Sequence, residues 1–119
     1  MIALGGSLGA IARYIVASTI QARVPAGFPW GTLVVNVSGC LVMGVATTLL
    51  TDRLAANAAW RYLIPIGFIG AYTTFSTFEM EIFRANTEGA WLIGGAYLVA
   101  SVVAGYVALW CGVVVGRLL

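Results

Sequence analysis

The stretch "GAYTTFSTF", residues 70–78, packs four serine and threonine hydroxyls, two phenylalanines and a glycine into the middle of an apolar segment. A lipid-facing span excludes clustered hydroxyls, and a water-facing loop excludes paired phenylalanines. The stretch therefore predicts a protein-lined place at membrane depth. Gly67 and Gly70 loosen any helix entering it. Thr73, Thr74, Ser76 and Thr77 compete with the helix for backbone hydrogen bonds. Together they predict a helix broken near Gly70–Thr73. Carbonyls freed by a break must face protein or a cavity, and inward carbonyl oxygens suit a hard cation such as sodium. Phe75 and Phe78, three residues apart, are expected to project from one face just after the break.

The rest of the chain agrees with lipid as its solvent. Of 119 residues, 61% are hydrophobic and 8% charged, and mean hydropathy is +1.01. Soluble domains carry about 25% charge, so this chain lacks the polar surface to face water. Net charge is only +2, which gives no nucleic-acid signal, and all six basic residues are Arg. Without histidine there is no imidazole metal site and no histidine acid–base chemistry. Cys40 and Cys111 lie in apolar runs without CxxC spacing and read as small hydrophobes. The opening "MIALGGSLGAIARY" lacks the basic start of a cleavable signal peptide.

Apolar runs fall at about 2–22, 31–50, 62–83 and 90–116. Each is near the ~20 residues that cross ~30 Å of hydrocarbon. The expectation is an all-α integral membrane protein, one membrane domain over residues 1–119, with four spans and the third broken near its middle. "QARVPAGFPW", "TDRLAANAAWR" and "RANTEG" are the links, short enough to make neighbouring spans antiparallel. Trp30, Trp60 and Trp91 mark span ends as an aromatic belt does. The side that holds both termini carries Arg53, Arg61 and Arg117, and the other carries Arg23 and Arg84. Three against two gives almost no orientation signal, so insertion in both directions is as well supported as one weakly biased orientation. Gly5 and Gly9, and Gly112 and Gly116, form GxxxG pairs that read as helix packing. Four short helices are thin for enclosing a pathway, which predicts an oligomer.

Polar groups within the runs are costly and mark function. Asn36 shares a face with Thr32 and Cys40 and reads either as interhelical glue or as a donor lining a path. Tyr97, Ser101 and Gly105, spaced by four, share another face. Arg13 is the one charge deep in the first run, with a carboxylate, backbone carbonyls or the interface as possible partners. Glu79 and Glu81 follow the hydroxyl cluster, while the other three runs hold no acid. Neutral donors with weakly positive ring edges suit a small anion better than a cation.

"GGSLGAIARY" at 5–14, "GTLVVNVSG" at 31–39 and "GFIGAYTTFSTFEME" at 67–81 resemble the three signatures of the Fluc (CrcB-type) fluoride channels. The resemblance covers essentially the whole chain, and its third motif is the most specific. It implies an antiparallel, dual-topology homodimer in the plasma (inner) membrane, with two pores for passive fluoride export from the cytoplasm. It implies a structural sodium at the dimer interface, held by backbone oxygens of Gly70 and Thr73 from both subunits. It assigns Phe75 and Phe78 as pore-lining rings, Asn36 as the pore asparagine, and Ser76, Thr77, Tyr97 and Ser101 as the hydroxyl track. One turn beyond Ser101, where family members often carry another hydroxyl, this chain has Gly105. The chemistry is coherent: strongly hydrated fluoride needs several donors at once, and chloride accepts weaker hydrogen bonds.

Two other readings compete. A small multidrug-type proton-coupled antiporter has similar length and span number, but needs a carboxylate in the first span, where this chain has Arg13. A non-transporting assembly subunit would explain the glycines but not the hydroxyl–phenylalanine cluster. No nucleophile–base pair or metal-ligand set suggests an enzyme.

Overall fold

A computed structural model describes residues 1–53 and 57–119, with Asp52 and Arg53 described by backbone alone. The Arg53 side chain, one of the charges in the orientation argument, thus lies outside the described residues. Every element among the described residues is helical. Helix α1 spans Ile2–Gln21 and α2 spans Trp30–Thr47, which widens into a π-helical turn over Thr48–Arg53. Helix α3 (Ala58–Arg61) runs into a π-helical segment, Tyr62–Ile69, and then α4 (Gly70–Tyr72). Helix α5 is Phe75–Thr87 and α6 is Trp91–Leu118.

Local chemistry sets these bounds. Pro25, Pro29 and Gly27, whose φ of +114° favours glycine, separate α1 from α2. The Asn57 side chain caps α3 by accepting from Ala59 N at 3.0 Å. Pro65 has no N–H to donate, and the wider π turn around it accommodates the missing bond. At the end of α5, Gly89 takes φ +79° while Ala90 N donates to Ala85 O at 2.8 Å, closing the helix before α6.

Among the described residues, three helical stretches, Ile2–Gln21, Trp30–Thr51 and Trp91–Leu118, are long and apolar enough to cross a membrane. The expected third run is not a continuous helix. It stops at Tyr72, passes through extended Thr73 (φ −78°, ψ 155°) and Thr74 (φ −146°, ψ 114°), and restarts at Phe75. The break therefore lies at the threonine pair, at the C-terminal edge of the expected Gly70–Thr73. The restarted helix also runs to Thr87 rather than 83, because polarity alone does not end a helix whose backbone can still pair.

Contacts fix the directions. On α1, Gly5 sits against Leu63 and Phe68, Gly9 against Phe68, and Arg13 reaches Ala71, so α1 runs parallel to the 62–72 segment. Gly44 meets Leu109, while Gly112 meets Leu41 and Gly116 meets Thr48, so α2 and α6 are parallel too. Asn36 pairs with Thr74 and Thr32 with Glu81, which makes α2 antiparallel to α5. Both expected GxxxG pairs are packing surfaces. A Cβ on Gly9 would collide with the Phe68 carbonyl, and one on Gly112 with the Leu41 carbonyl. The buried apolar core is small, with Val35, Ile69, Phe78 and Tyr97 at its centre, while residues such as Leu92 and Tyr106 face outward. That inversion is what a lipid solvent allows.

Candidate functional site

Backbone groups freed at the break are met by side chains from two other helices. Asn36 on α2 accepts from Thr74 N at 2.8 Å and donates through Nδ2 to Thr74 O at 3.1 Å. One planar amide thus replaces the strand or helix partner that extended Thr74 lacks. Arg13 on α1 donates through Nε to Ala71 O at 3.2 Å, so its partner is a carbonyl at the break. Thr73 donates through N and Oγ1 to Ile69 O. Thr74 Oγ1 caps α5, accepting from Thr77 N at 3.3 Å and donating to Thr77 Oγ1 at 3.0 Å. Tyr72 OH lies 3.0 Å from Ser38 Oγ, and Gly39 lets α2 approach because a Cβ there would strike the Thr73 methyl. The Gly70 and Thr73 carbonyls accept none of the turn, cap or side-chain hydrogen bonds of this segment.

Two turns into α5, Glu81 is held at both oxygens. Thr32 Oγ1 donates to Oε1 at 2.7 Å and Tyr97 OH donates to Oε2 at 2.7 Å. Such short, charge-assisted bonds are the strong class. Tyr97 is only 1% exposed. Two rings meet it edge-on, Phe78 at 5.1 Å and 67°, and Phe28 at 5.4 Å and 77°. Phe75 extends the ring series from Phe78 at 5.8 Å, and Trp30 extends it from Phe28 at 4.6 Å.

Two open cavities meet at Glu81. One, of about 350 Å³, includes Gln21, Phe28, Arg84, Glu88 and Tyr97 in its lining. The other, of about 390 Å³, includes Arg13, Ser18, Thr32, Thr74 and Thr77. Glu81 and Gln21 line both. A third cavity, of about 380 Å³, lies over the break between Asn36, Thr73, Phe75 and Leu109.

The motif residues are thus brought together unequally. Asn36, Thr77, Phe78 and Tyr97 converge around the break and Glu81. The Ser101 hydroxyl is buried and makes no hydrogen bond within geometric limits among the described residues. Gly105 is buried close to Cys40, whose Sγ would lie 3.5 Å from a Cβ there. Ser76 is exposed and joins none of the site's hydrogen bonds. Phe75 and Phe78 touch but do not share one environment: Phe75 is 72% exposed and Phe78 is 4% exposed. The three-residue offset turns Phe78 toward α6 and leaves Phe75 on the outer surface of the single chain. Sequence reasoning gave no role to Glu81, Gln21 or Phe28. For Glu81 a signal existed, since it lies four residues after Thr77 and three after Phe78.

Residues 1–113 match the family model described as CrcB-like protein, Camphor Resistance (CrcB). A relative from Solibacter usitatus is 50% identical over 98% of this chain and 96% of its own length. One from Acidobacterium capsulatum is 49% identical over 98% of this chain and 93% of its own. One from Magnetococcus marinus is 41% identical over 99% and 96%. All three bear the name fluoride-specific ion channel FluC, so the family is one of ion channels and not of enzymes. The broken third segment, its hydroxyls and its paired phenylalanines thus sit in a membrane protein of the CrcB-like (Fluc) family, to which this chain belongs.

Proposed function

We propose that the chain is a passive, fluoride-selective channel that exports fluoride from the cytoplasm across the plasma (inner) membrane. The observation that carries this reading is the convergence of polar side chains and ring edges around the break and Glu81: Asn36, Thr77 and Tyr97 beside Phe78. The buried Ser101 hydroxyl, unpaired among the described residues, is the kind of donor a dehydrated anion would use. Thr32 and Tyr97 aim their protons at the Glu81 carboxylate, which stands between two cavities. An ion crossing between those cavities would take over donors that Glu81 now holds. The family name of the relatives supports fluoride as that ion. A proton-coupled antiporter is disfavoured, because the charge in α1 is Arg13 and it is engaged with a carbonyl.

The working unit in this reading is an antiparallel homodimer with two pores, each subunit crossing the membrane four times as a single domain. Phe75, exposed in one chain, would then face the partner or the pore, and Ser76 would gain its contact in the assembly. A structural sodium fits the break: the Gly70 and Thr73 carbonyls beside it are hard oxygen donors, and no cluster of three acidic or cysteine ligands competes among the described residues. When bound, the ion would neutralise carbonyl dipoles gathered from the two chains. Fluoride efflux from liposomes, measured against chloride, tests the function. Selective fluoride efflux is expected, and equal passage of both anions, or of neither, refutes it. Density refining as sodium beside Gly70 and Thr73 on the dimer axis tests the cation, and an axis without a cation-sized site refutes that part.

A further inference from the structure

We infer that Gln21 and Phe28 are positioning residues for ion transfer, because together they hold the Tyr97 hydroxyl on Glu81. The inference rests on the channel reading above and concerns two residues outside all three family motifs. The link between α1 and α2 contains Pro25, Gly27 and Pro29 and has little regular backbone pairing to hold it. Gln21, the last residue of α1, spans it instead. Its Nε2 donates to Phe28 O at 3.2 Å, and its Oε1 accepts from Gly31 N at 3.2 Å. One amide thereby fixes the chain on both sides of Pro29.

What this fixes is a ring. Phe28 lies edge-on to Tyr97, and Phe78 contributes the other edge-on contact. A phenol held by two such rings has its plane set by them, and its hydroxyl direction follows from that plane. The hydroxyl lies 2.7 Å from Glu81 Oε2, the point where the two cavities meet. Phe28 is only half-buried and lines the first cavity with Tyr97 and Glu81. A ring serving the core alone would be closed off from that space. Gln21 lines both cavities with Glu81, so the clamp stands where they adjoin.

The test uses purified full-length protein in liposomes, with dimer assembly checked for every variant. Phe28→Leu keeps apolar bulk and loses the ring edge; flux should fall about fivefold, the scale of one aromatic contact. Phe28→Tyr, which keeps the edge, should recover most of the rate. Gln21→Ala keeps the Phe28 side chain but frees its backbone and should lower flux by a similar factor; it carries the test if Phe28→Leu fails to assemble. The deciding readout is coupling. In a Tyr97→Phe background, which has no hydroxyl to aim, Phe28→Leu and Gln21→Ala should each change flux by less than about twofold. Effects of equal size in both backgrounds, or wild-type flux in assembled single variants, overturn the inference. An unmodified protein that passes no fluoride would instead overturn the channel reading, so the two failures are distinct.

Discussion

Asn36 offers the sharpest test of how the break is held. Its side chain makes both hydrogen bonds to Thr74, at 2.8 and 3.1 Å, at a point where the backbone has left the helix. Asn36→Leu is nearly isosteric and removes both partners at once. Each orphaned backbone group should cost about 1–3 kcal/mol, so the pair should cost about 2–6 kcal/mol. Asn36→Asp is the finer perturbation. At a pH that ionises it, the new carboxylate still accepts from Thr74 N but cannot donate to Thr74 O and opposes that carbonyl with a second oxygen, whereas the protonated acid keeps both bonds. Its cost should lie near one orphaned carbonyl, about 1–3 kcal/mol. The assay is reversible unfolding of the detergent-solubilised dimer, with fluoride efflux measured separately on the assembled fraction. The expected order of stability is wild type, then Asp, then Leu. A residue that only offered a donor to a passing ion would give another pattern: flux would fall in both variants with stability unchanged. Asn36→Leu within about 0.5 kcal/mol of wild type, the range of a surface substitution, would refute the clamp.

Further predictions separate packing from passage. Phe75→Ile should leave the stability of the single chain unchanged, since the ring is 72% exposed there, yet sharply lower fluoride efflux; wild-type efflux in the assembled dimer would reduce the ring to packing. Phe78→Ile should lower efflux and also cost about 1–3 kcal/mol for its two lost ring contacts, read by the same unfolding assay, with Phe78→Met recovering part of the flux. Gly9→Ala should destabilise by about 1–3 kcal/mol, because the new Cβ meets the Phe68 carbonyl, whereas Gly6→Ala, which meets nothing within 4 Å, should be neutral or slightly stabilising. Two Lys added beside Arg53 should force one orientation and abolish efflux, and co-expression with an oppositely biased variant should restore it. Reporter fusions showing a single orientation in the unmodified chain would contradict dual insertion.

The parts of this fold that the sequence made legible are those governed by solvent and by local backbone chemistry. Hydropathy located the long helices because lipid tolerates little else over twenty residues. The hydroxyl run located the break because those side chains compete with the helix for its own bonds. The small-residue pairs were legible as packing surfaces for the same reason: Gly9 and Gly112 have no room for a methyl group. Arg13 was recognisable as a costly intramembrane charge, but its choice of the Ala71 carbonyl over a carboxylate depends on where α1 lies against the broken segment.

Glu81 shows what was missed and why. Glu79 and Glu81 are two residues apart, and a helix sends neighbours so spaced to different faces. Glu79 follows the exposed face of Phe75 and is itself exposed, while Glu81 follows Thr77 and turns toward α2 and α6. The choice between them is set by rotation of α5, and that rotation is set at its N-cap. Asn36 grips Thr74, Thr74 caps the helix, and seven residues later Glu81 meets Thr32, one turn before Asn36 on the same face of α2. The break and the carboxylate are therefore linked through α2: the face that secures the extended threonine through Asn36 also holds Glu81 through Thr32. Loosening Asn36 should therefore disturb the Glu81 hydrogen bonds as well as the break, and a lone view of either motif hides that link.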